Sequence, residues 1–199
     1  GVLAARALDQ VAKVRRPYVA VQVLEVMKEQ GLKMEAVHCN IAISACGKGG
    51  LWQRALALLD AMPALRLAPT VVSCGAAISA CGRGGQWRLA LALLGCMVGL
   101  QVVPNAICCN AAISACERVG QWQLALVLFA IMNGLRVVPT VVSFGAAISA
   151  CEKGGRWLQA LALLGSMAGL QVAPNTITLN AAISACEKCA RWQHALALL

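Results

Sequence analysis

A tryptophan recurs at a fixed interval along this chain, and that interval constrains the fold more than any other feature. The tryptophans are Trp52, Trp87, Trp122, Trp157 and Trp192, each 35 residues after the one before. Columns of alanine, methionine and proline keep the same interval. Self-similarity at a period of about 20–50 residues is the signature of a repeat architecture, in which each unit packs only on its neighbours. The sequence therefore predicts an array of repeats.

Each repeat is predicted to form two short helices joined by a tight turn. In residues 71–105, small residues and helix formers precede the pair Gly84-Gly85, and an apolar segment with helical spacing follows, from Gln86 to Met97. Gly99 is expected to stop that second helix, and Pro104 stands before the next helix. One hairpin cannot bury both of its faces, whereas stacked hairpins can, in a superhelix with one concave surface. The pattern therefore predicts an all-α fold built from antiparallel helical hairpins.

The period also divides the chain. Four complete repeats are expected at 36–70, 71–105, 106–140 and 141–175, followed by a truncated repeat at 176–199. Residues 1–35 form a diverged repeat, because only the second-helix pattern persists there, from Pro17 onward. All of these are expected to belong to one solenoid domain. The chain begins at Gly1 rather than at methionine and ends inside an apolar run, which indicates a piece of a longer protein.

Composition narrows the possible partners. Hydrophobic residues make up 60% of the chain, mostly alanine and leucine, while aromatics make up 4%, which favours helices over strands. The formal net charge of +9 favours a polyanion as partner. The uninterrupted apolar pieces are shorter than the roughly 20 residues needed to cross a bilayer, so no membrane partner is expected.

The repeat resembles a known family. The stretch VSFGAAISACEKGGRWLQALALLGSM, from Val142 to Met167, is similar to the pentatricopeptide repeat, and the similarity extends over residues 17–199. Tetratricopeptide units place aromatics early in the first helix, where this chain has almost none. The resemblance implies a right-handed α-solenoid that binds single-stranded RNA in a chloroplast or mitochondrion. It also implies a role in RNA processing, stability, editing or translation, with one base read per repeat.

The resemblance further implies which side chains read a base. In this family a residue early in the first helix acts together with the last residue of the same repeat. The first position, called here the helix-start column, holds Asn40, Gly75, Asn110, Gly145 and Asn180; the second, the unit-end column, holds Thr70, Asn105, Thr140 and Asn175. Asparagine offers an acceptor and two donors to a flipped-out base, whereas glycine offers none. Because asparagine and glycine alternate, the implied recognition period is two repeats.

Two further columns complete the implied interface. A β-branched residue near the start of each repeat is expected to sandwich the base, since such stiff side chains lose little rotamer entropy. This β-branched column holds Val37, Val72, Ile107, Val142 and Ile177. A basic residue at the end of each first helix is expected to face phosphate. This cation column holds Lys48, Arg83, Arg118, Lys153 and Lys188.

Purely structural explanations exist for the same residues. Threonine and asparagine after a proline are good helix N-caps, which could account for the unit-end column alone. A cation near a helix C-terminus is stabilising whether or not phosphate is present. The tryptophans could stack on bases, but packing in the core or between repeats is the favoured interpretation.

No catalytic or cofactor site is predicted. The chain has 11 cysteines, of which Cys46, Cys81, Cys116, Cys151 and Cys186 hold one repeat position. Equivalent points on packed helices lie about 8–10 Å apart, beyond the roughly 7 Å that a disulfide allows. We therefore expect reduced, buried thiols. A single C-x-x-C, Cys186 to Cys189, does not complete a four-ligand zinc site. The chain is thus predicted to be a binding module and not an enzyme, with no cofactor and no metal.

The alternative function is a scaffold for other proteins. The same concave surface could hold a peptide, as tetratricopeptide arrays do, and the glycines of the helix-start column make that surface less polar. A continuous row of cations along the surface would favour RNA over a peptide.

Overall fold

The computed structural model describes residues 17–196, which contain eleven α-helices, one short 3₁₀ helix at Pro63–Leu65 and no β-strand. The second helices of the repeats are α1 (Pro17–Glu29), α3 (Trp52–Ala61), α5 (Trp87–Gly99), α7 (Trp122–Gly134), α9 (Trp157–Gly169) and α11 (Trp192–Leu196). The first helices are α2 (Ala36–Lys48), α4 (Val71–Arg83), α6 (Ala106–Arg118), α8 (Val141–Lys153) and α10 (Thr176–Lys188). The degenerate helix expected near Val2 to Val14 lies outside the described residues.

The helices form two compact units that divide between Pro104 and Asn105. In the first unit, α2 packs along α4, and α3 contacts both. In the second unit, α6, α8 and α10 pack side by side, and α7 and α9 each bridge two of them. Among the described helices of either unit, no second helix packs on another second helix. The first helices therefore form the more closely packed layer of each unit, and the described second helices pack against that layer without contacting one another.

Small and flexible residues fill the space between the two layers. The alanines Ala55, Ala90, Ala125 and Ala160 are 0% exposed, as are the methionines Met62, Met97, Met132 and Met167. Alanine lets neighbouring backbones approach, and the unbranched methionine side chain fills the remaining gaps. None of the described helices is long and apolar enough to cross a membrane.

In the turns Gly84-Gly85 and Gly154-Gly155 the two glycines have different functions. Gly155 has a φ of +65° and Gly85 a φ of +72°, a left-handed conformation that glycine adopts without steric cost. Gly154 has an ordinary φ of −83°, but a Cβ there would collide with the indole ring of Trp122. A Cβ on Gly84 would likewise collide with Trp52. The first glycine thus makes room for the tryptophan of the preceding repeat, and the second turns the chain.

The second helix α5 ends at Gly99, as the sequence predicts, but Gly99 is itself the last helical residue. The left-handed residue is Gln101, with a φ of 56°. The Val102 amide donates to the Met97 carbonyl at 2.9 Å and the Gln101 amide to Val98 at 3.0 Å, a Schellman pattern. These two bonds hold a non-glycine residue in the left-handed region. Arg66, Arg136 and Gln171 repeat the same conformation.

A pair of glycine substitutions tests this account of the turns. Gly120 has a φ of +74° and Gly165 lies within α9, and a Cβ at either position would meet no atom within 4 Å. Gly120→Ala is expected to destabilise the fold by about 1 kcal/mol through left-handed strain. Gly165→Ala is expected to stabilise it by up to about 1 kcal/mol through helix propensity. Thermal unfolding followed by circular dichroism measures both, and shifts of the same sign would contradict the assigned turn.

Candidate nucleic-acid interface

A row of apolar side chains remains exposed on the first helices. The β-branched column occupies the second residue of each first helix, where exposure is 43% for Val37, 60% for Val72, 70% for Ile107, 58% for Val142 and 68% for Ile177. Valine and isoleucine are among the residues most often buried in proteins. Since folding leaves this apolar area in water at every repeat, the area is available for contact with a ligand.

Helical geometry brings the predicted columns onto one face. Residues three apart are neighbours on a helix, so Asn40 lies beside Val37. Lys48 follows Val37 by eleven residues, which places it only about 20° away around the helix axis. Each first helix therefore presents an apolar residue, a helix-start residue and a cation along one stripe, although the roles of these residues remain predictions.

Asparagine and threonine of the same repeat form a hydrogen-bonded pair. The Nδ2 group of Asn40 donates to Oγ1 of Thr70 at 3.4 Å, and Asn110 donates to Thr140 at the same distance. The Oδ1 atoms of both asparagines are buried without a hydrogen-bond partner among the described residues. A buried acceptor left unpaired costs about 1–3 kcal/mol. The pair thus joins the helix-start and unit-end columns but leaves one polar atom of each asparagine unsatisfied.

The unit-end column caps the first helices. Thr70 Oγ1 accepts the Ser73 amide at 3.3 Å, and the Ser73 hydroxyl accepts the Thr70 amide at 2.6 Å, which completes a capping box. Thr140 and Ser143 repeat this arrangement. Because each threonine hydroxyl also lies within 3.2 Å of the serine hydroxyl and accepts from an asparagine, its hydrogen-bonding capacity is used within the protein.

Repeats with glycine in the helix-start column are organised differently. Asn175 caps α10 through Oδ1, which accepts the Thr178 amide at 3.0 Å, and Asn105 caps α6 in the same way at 3.1 Å. Their Nδ2 groups make no hydrogen bond to another described residue. Gly145, in the same repeat as Asn175, is buried, and a Cβ there would only touch the Thr178 methyl group at 3.7 Å. Asn180 is exposed on α10. These repeats therefore leave amide donors available where the asparagine–threonine repeats do not.

The cation column is exposed in all five first helices, but its members have different partners. Lys153 forms an ion pair with Glu117 at 2.5 Å, and Lys188 forms one with Glu152 at 2.7 Å. Arg83 donates from Nη2 to Ser79 at 3.2 Å within its own helix. Lys48 and Arg118 form no ion pair with another described residue.

Family models match most of the chain. The model described as "Pentatricopeptide repeat-containing protein" matches residues 2–76, and "Pentatricopeptide repeat domain" matches 92–156. The model "PPR repeat" matches 72–102 and 142–172. The matched segments together run without a break from residue 2 to residue 172. The chain belongs to the pentatricopeptide repeat family. No curated protein sequence matches it.

Solved pentatricopeptide repeat structures share the fold. The crystal structure of PPR10 from maize aligns with a TM-score of 0.78 at 25% identity, over 98% of this chain and 28% of that one. PPR10 in complex with an 18-nt psaJ RNA element aligns at 0.84, with 17% identity over 100% of this chain and 29% of that one. The PPR domain of Arabidopsis thaliana protein-only RNase P 1 in complex with tRNA aligns at 0.75, with 15% identity over 97% and 98%. The family and the α-solenoid fold predicted from the sequence are confirmed.

The pentatricopeptide tryptophans pack between repeats in the second unit. The guanidinium of Arg156 lies 4.4 Å from the ring centre of Trp122, and that of Arg191 lies 5.4 Å from Trp157. These cation–π contacts, together with the close approach of Trp122 to Gly154, place the indoles at the seam between successive hairpins. The favoured packing interpretation accounts for these contacts.

The cysteines of the repeated position are buried, and burial makes their thiols unreactive. Among the described residues every cysteine is a free thiol, and the five of the repeated position are 0% exposed. Burial raises the pKa of Cys116 and of Cys151 to about 11, so both thiols remain protonated at neutral pH. In the described part of the chain no group of three or more histidines, cysteines or carboxylates could hold a metal ion.

Sequence reasoning did not anticipate two features of this interface. The serine or threonine three residues after the caps Thr70, Thr140 and Asn175 is a recognisable capping-box signal that was available in the sequence. The ion pairs between Glu117 and Lys153 and between Glu152 and Lys188 join residues 36 apart, a spacing with no general meaning until the stacking of the first helices is known.

Proposed function

We propose that this pentatricopeptide repeat chain is a binding module for single-stranded RNA. It holds the RNA along the layer of first helices and acts in a chloroplast or mitochondrion, in RNA processing, stability, editing or translation. Each repeat contacts one nucleotide, and the bound protein blocks or recruits other factors. The chain itself supplies binding and no catalysis.

The observation that carries this proposal is the exposed β-branched column beside polar and cationic side chains. A nucleobase has a flat apolar face, a polar edge and an attached phosphate. One stripe of α6 offers the matching groups in order. Ile107 contacts the face, Asn110 binds the edge after it exchanges its bond to Thr140 for one to the base, and Arg118 binds the phosphate. In support, PPR10 has been crystallised with an 18-nt psaJ RNA element and the RNase P 1 domain with tRNA.

Binding of single-stranded RNA at increasing salt tests the proposal. Each phosphate contact contributes about −0.7 to the slope of log affinity against log salt, so three to five contacts give about −2 to −3.5. Fluorescence anisotropy with a labelled RNA of random sequence measures this slope. A slope near zero, or tight binding of a peptide together with no RNA binding, would instead favour the scaffold function of tetratricopeptide arrays.

Substitution of Asn110 tests base reading separately from affinity. Asn110→Ala removes the amide next to Ile107 and is expected to change base preference at one nucleotide position, while the salt slope stays the same because no cation is lost. Asn133, exposed on the second helix α7, provides the matched control Asn133→Ala. Selection of bound sequences from a random RNA pool is the measurement. Identical preference profiles for the two variants would remove Asn110 from base reading.

A further inference from the structure

The residue before each cation differs between the two units. In the second unit it is a glutamate in every repeat, namely Glu117, Glu152 and Glu187. In the first unit it is a glycine, at Gly47 and Gly82. The cation column itself does not change its charge along the chain, so the units differ in the carboxylates that accompany the cations.

Two of the three glutamates of the second unit reach the cation of the following repeat. Glu117 pairs with Lys153, and Glu152 pairs with Lys188. The carboxylate side chains are mostly covered, at 18% and 20% exposed, whereas the lysine side chains are 42% and 53% exposed. Each lysine is therefore accessible to a ligand while it is held by a carboxylate that is partly shielded from water. Partial shielding strengthens such a pair relative to one on the open surface.

The first unit is built so that this pairing does not occur. A Cβ on Gly47 would lie 3.0 Å from the Cβ of Ala80 and 3.2 Å from its Cα, which is tighter than ordinary packing between the adjacent helices α2 and α4. A glutamate at this position would therefore push the two helices apart. Arg83, the cation of the next repeat, donates instead to the neutral hydroxyl of Ser79. Lys48 and Arg83 thus carry positive charge that no carboxylate of the described residues offsets.

We propose that Glu117 and Glu152 compete with RNA phosphate for Lys153 and Lys188. As a result, the unpaired cations of the chain bind the RNA backbone more strongly than these two lysines do. This inference rests on the proposed RNA-binding function. The unpaired cations Lys48, Arg83 and Arg118 bind phosphate directly, whereas each paired lysine has to exchange a carboxylate for a phosphate. The glutamates lower the affinity of the chain for any polyanion. Contacts to the bases therefore contribute a larger share of the binding free energy and determine which RNA binds.

The salt slope separates this competition from a simple change in net charge. Three direct phosphate contacts predict a wild-type slope near −2, and release of both lysines predicts about −3.5. The test variant is the double substitution Glu117→Gln with Glu152→Gln, which keeps the size of both side chains. The control is Glu29→Gln with Glu187→Gln, which removes the same two charges. Glu29 and Glu187 are exposed and form no ion pair with another described residue.

The expected result is a gain in affinity that is specific to the paired glutamates. At about 50 mM salt the test variant should bind single-stranded RNA at least about 5-fold more tightly than the control variant, with a slope steeper by about 1.4. Circular dichroism establishes that both variants are folded. Equal affinity and equal slope in the two variants would overturn the inference. If the wild-type chain binds no RNA at any salt concentration, the proposed function itself fails.

Two double variants that remove cations test the same inference. Lys48→Ala with Arg83→Ala should weaken binding more than Lys153→Ala with Lys188→Ala, and only the first pair should make the slope shallower by about 1.4. Equal losses of affinity and slope would mean that the carboxylates do not restrain the lysines, and the inference would be wrong.

Discussion

Replacement of Phe144 by alanine is expected to lower the free energy of unfolding of the second unit by about 3–5 kcal/mol. Phe144 is 0% exposed and lies in a cluster that includes Ile148, Leu164 and Met167. Its ring meets that of Phe129 edge-on, with the ring centres 4.8 Å apart, so the substitution removes an aromatic contact as well as volume. Urea unfolding followed by circular dichroism measures the loss.

The repeat supplies its own control for this prediction. Cys109 occupies the equivalent position one repeat earlier, is 2% exposed and belongs to the same unit. Cys109→Ala removes a single buried sulfur, so its cost is expected to be no more than about 1–2 kcal/mol. Stabilities of repeat arrays combine the contributions of repeats and interfaces, so the comparison of two variants of one unit is more informative than either absolute value. Equal destabilisation by the two substitutions would contradict the packing described here.

Gly154→Ala is expected to destabilise the second unit by about 1–3 kcal/mol, although alanine is the better helix former. The backbone at Gly154 has a φ of −83°, which alanine adopts freely, so conformational preference alone would favour the substitution. The opposing effect is steric, because the added methyl group would collide with the ring of Trp122 and lie 3.0 Å from its Cβ. Movement of the ring alone therefore does not remove the overlap.

A double-mutant cycle with Trp122→Ala isolates that collision. Once the indole is removed, Gly154→Ala is expected to cost nothing or to stabilise slightly, which gives a coupling energy of about 1–3 kcal/mol between the two positions. Denaturant unfolding of the four proteins provides the cycle. Additive effects would show that the methyl group is accommodated in some other way and that the tryptophan does not require this glycine.

The period of the sequence was sufficient to predict the hairpins, because period and helical spacing depend only on local pattern. The tryptophans begin the second helices from α3 onward, and the cations Lys48 and Arg83 end first helices, close to where the pattern placed them. The Gly84-Gly85 turn was also predicted, but the separate functions of its two glycines were not. One of those functions depends on Trp52, which belongs to the preceding repeat.

The contacts between repeats required the structure, for a physical reason. Whether Glu117 reaches Lys153 depends on the offset between α6 and α8, which is set by the packing of many alanine and cysteine side chains. The bond from Asn40 to Thr70 also required the structure, because it joins the first helix of a repeat to the last residue of that repeat, although the family resemblance already associated the two columns. Phe129 and Phe144 stand at repeat positions that hold smaller residues in the other repeats. One sequence does not reveal that these two positions lie against each other.

Helix capping by the unit-end column has a consequence for how such a chain diverges. Thr70, Asn105, Thr140 and Asn175 each start a helix by accepting a backbone amide, and only a few short polar residues do this well. Drift at these positions therefore favours serine, threonine, aspartate and asparagine, although Glu35 occupies the same position before α2. Under the proposed base reading, a change of RNA preference would proceed by exchange among these few residue types, at almost no loss of stability.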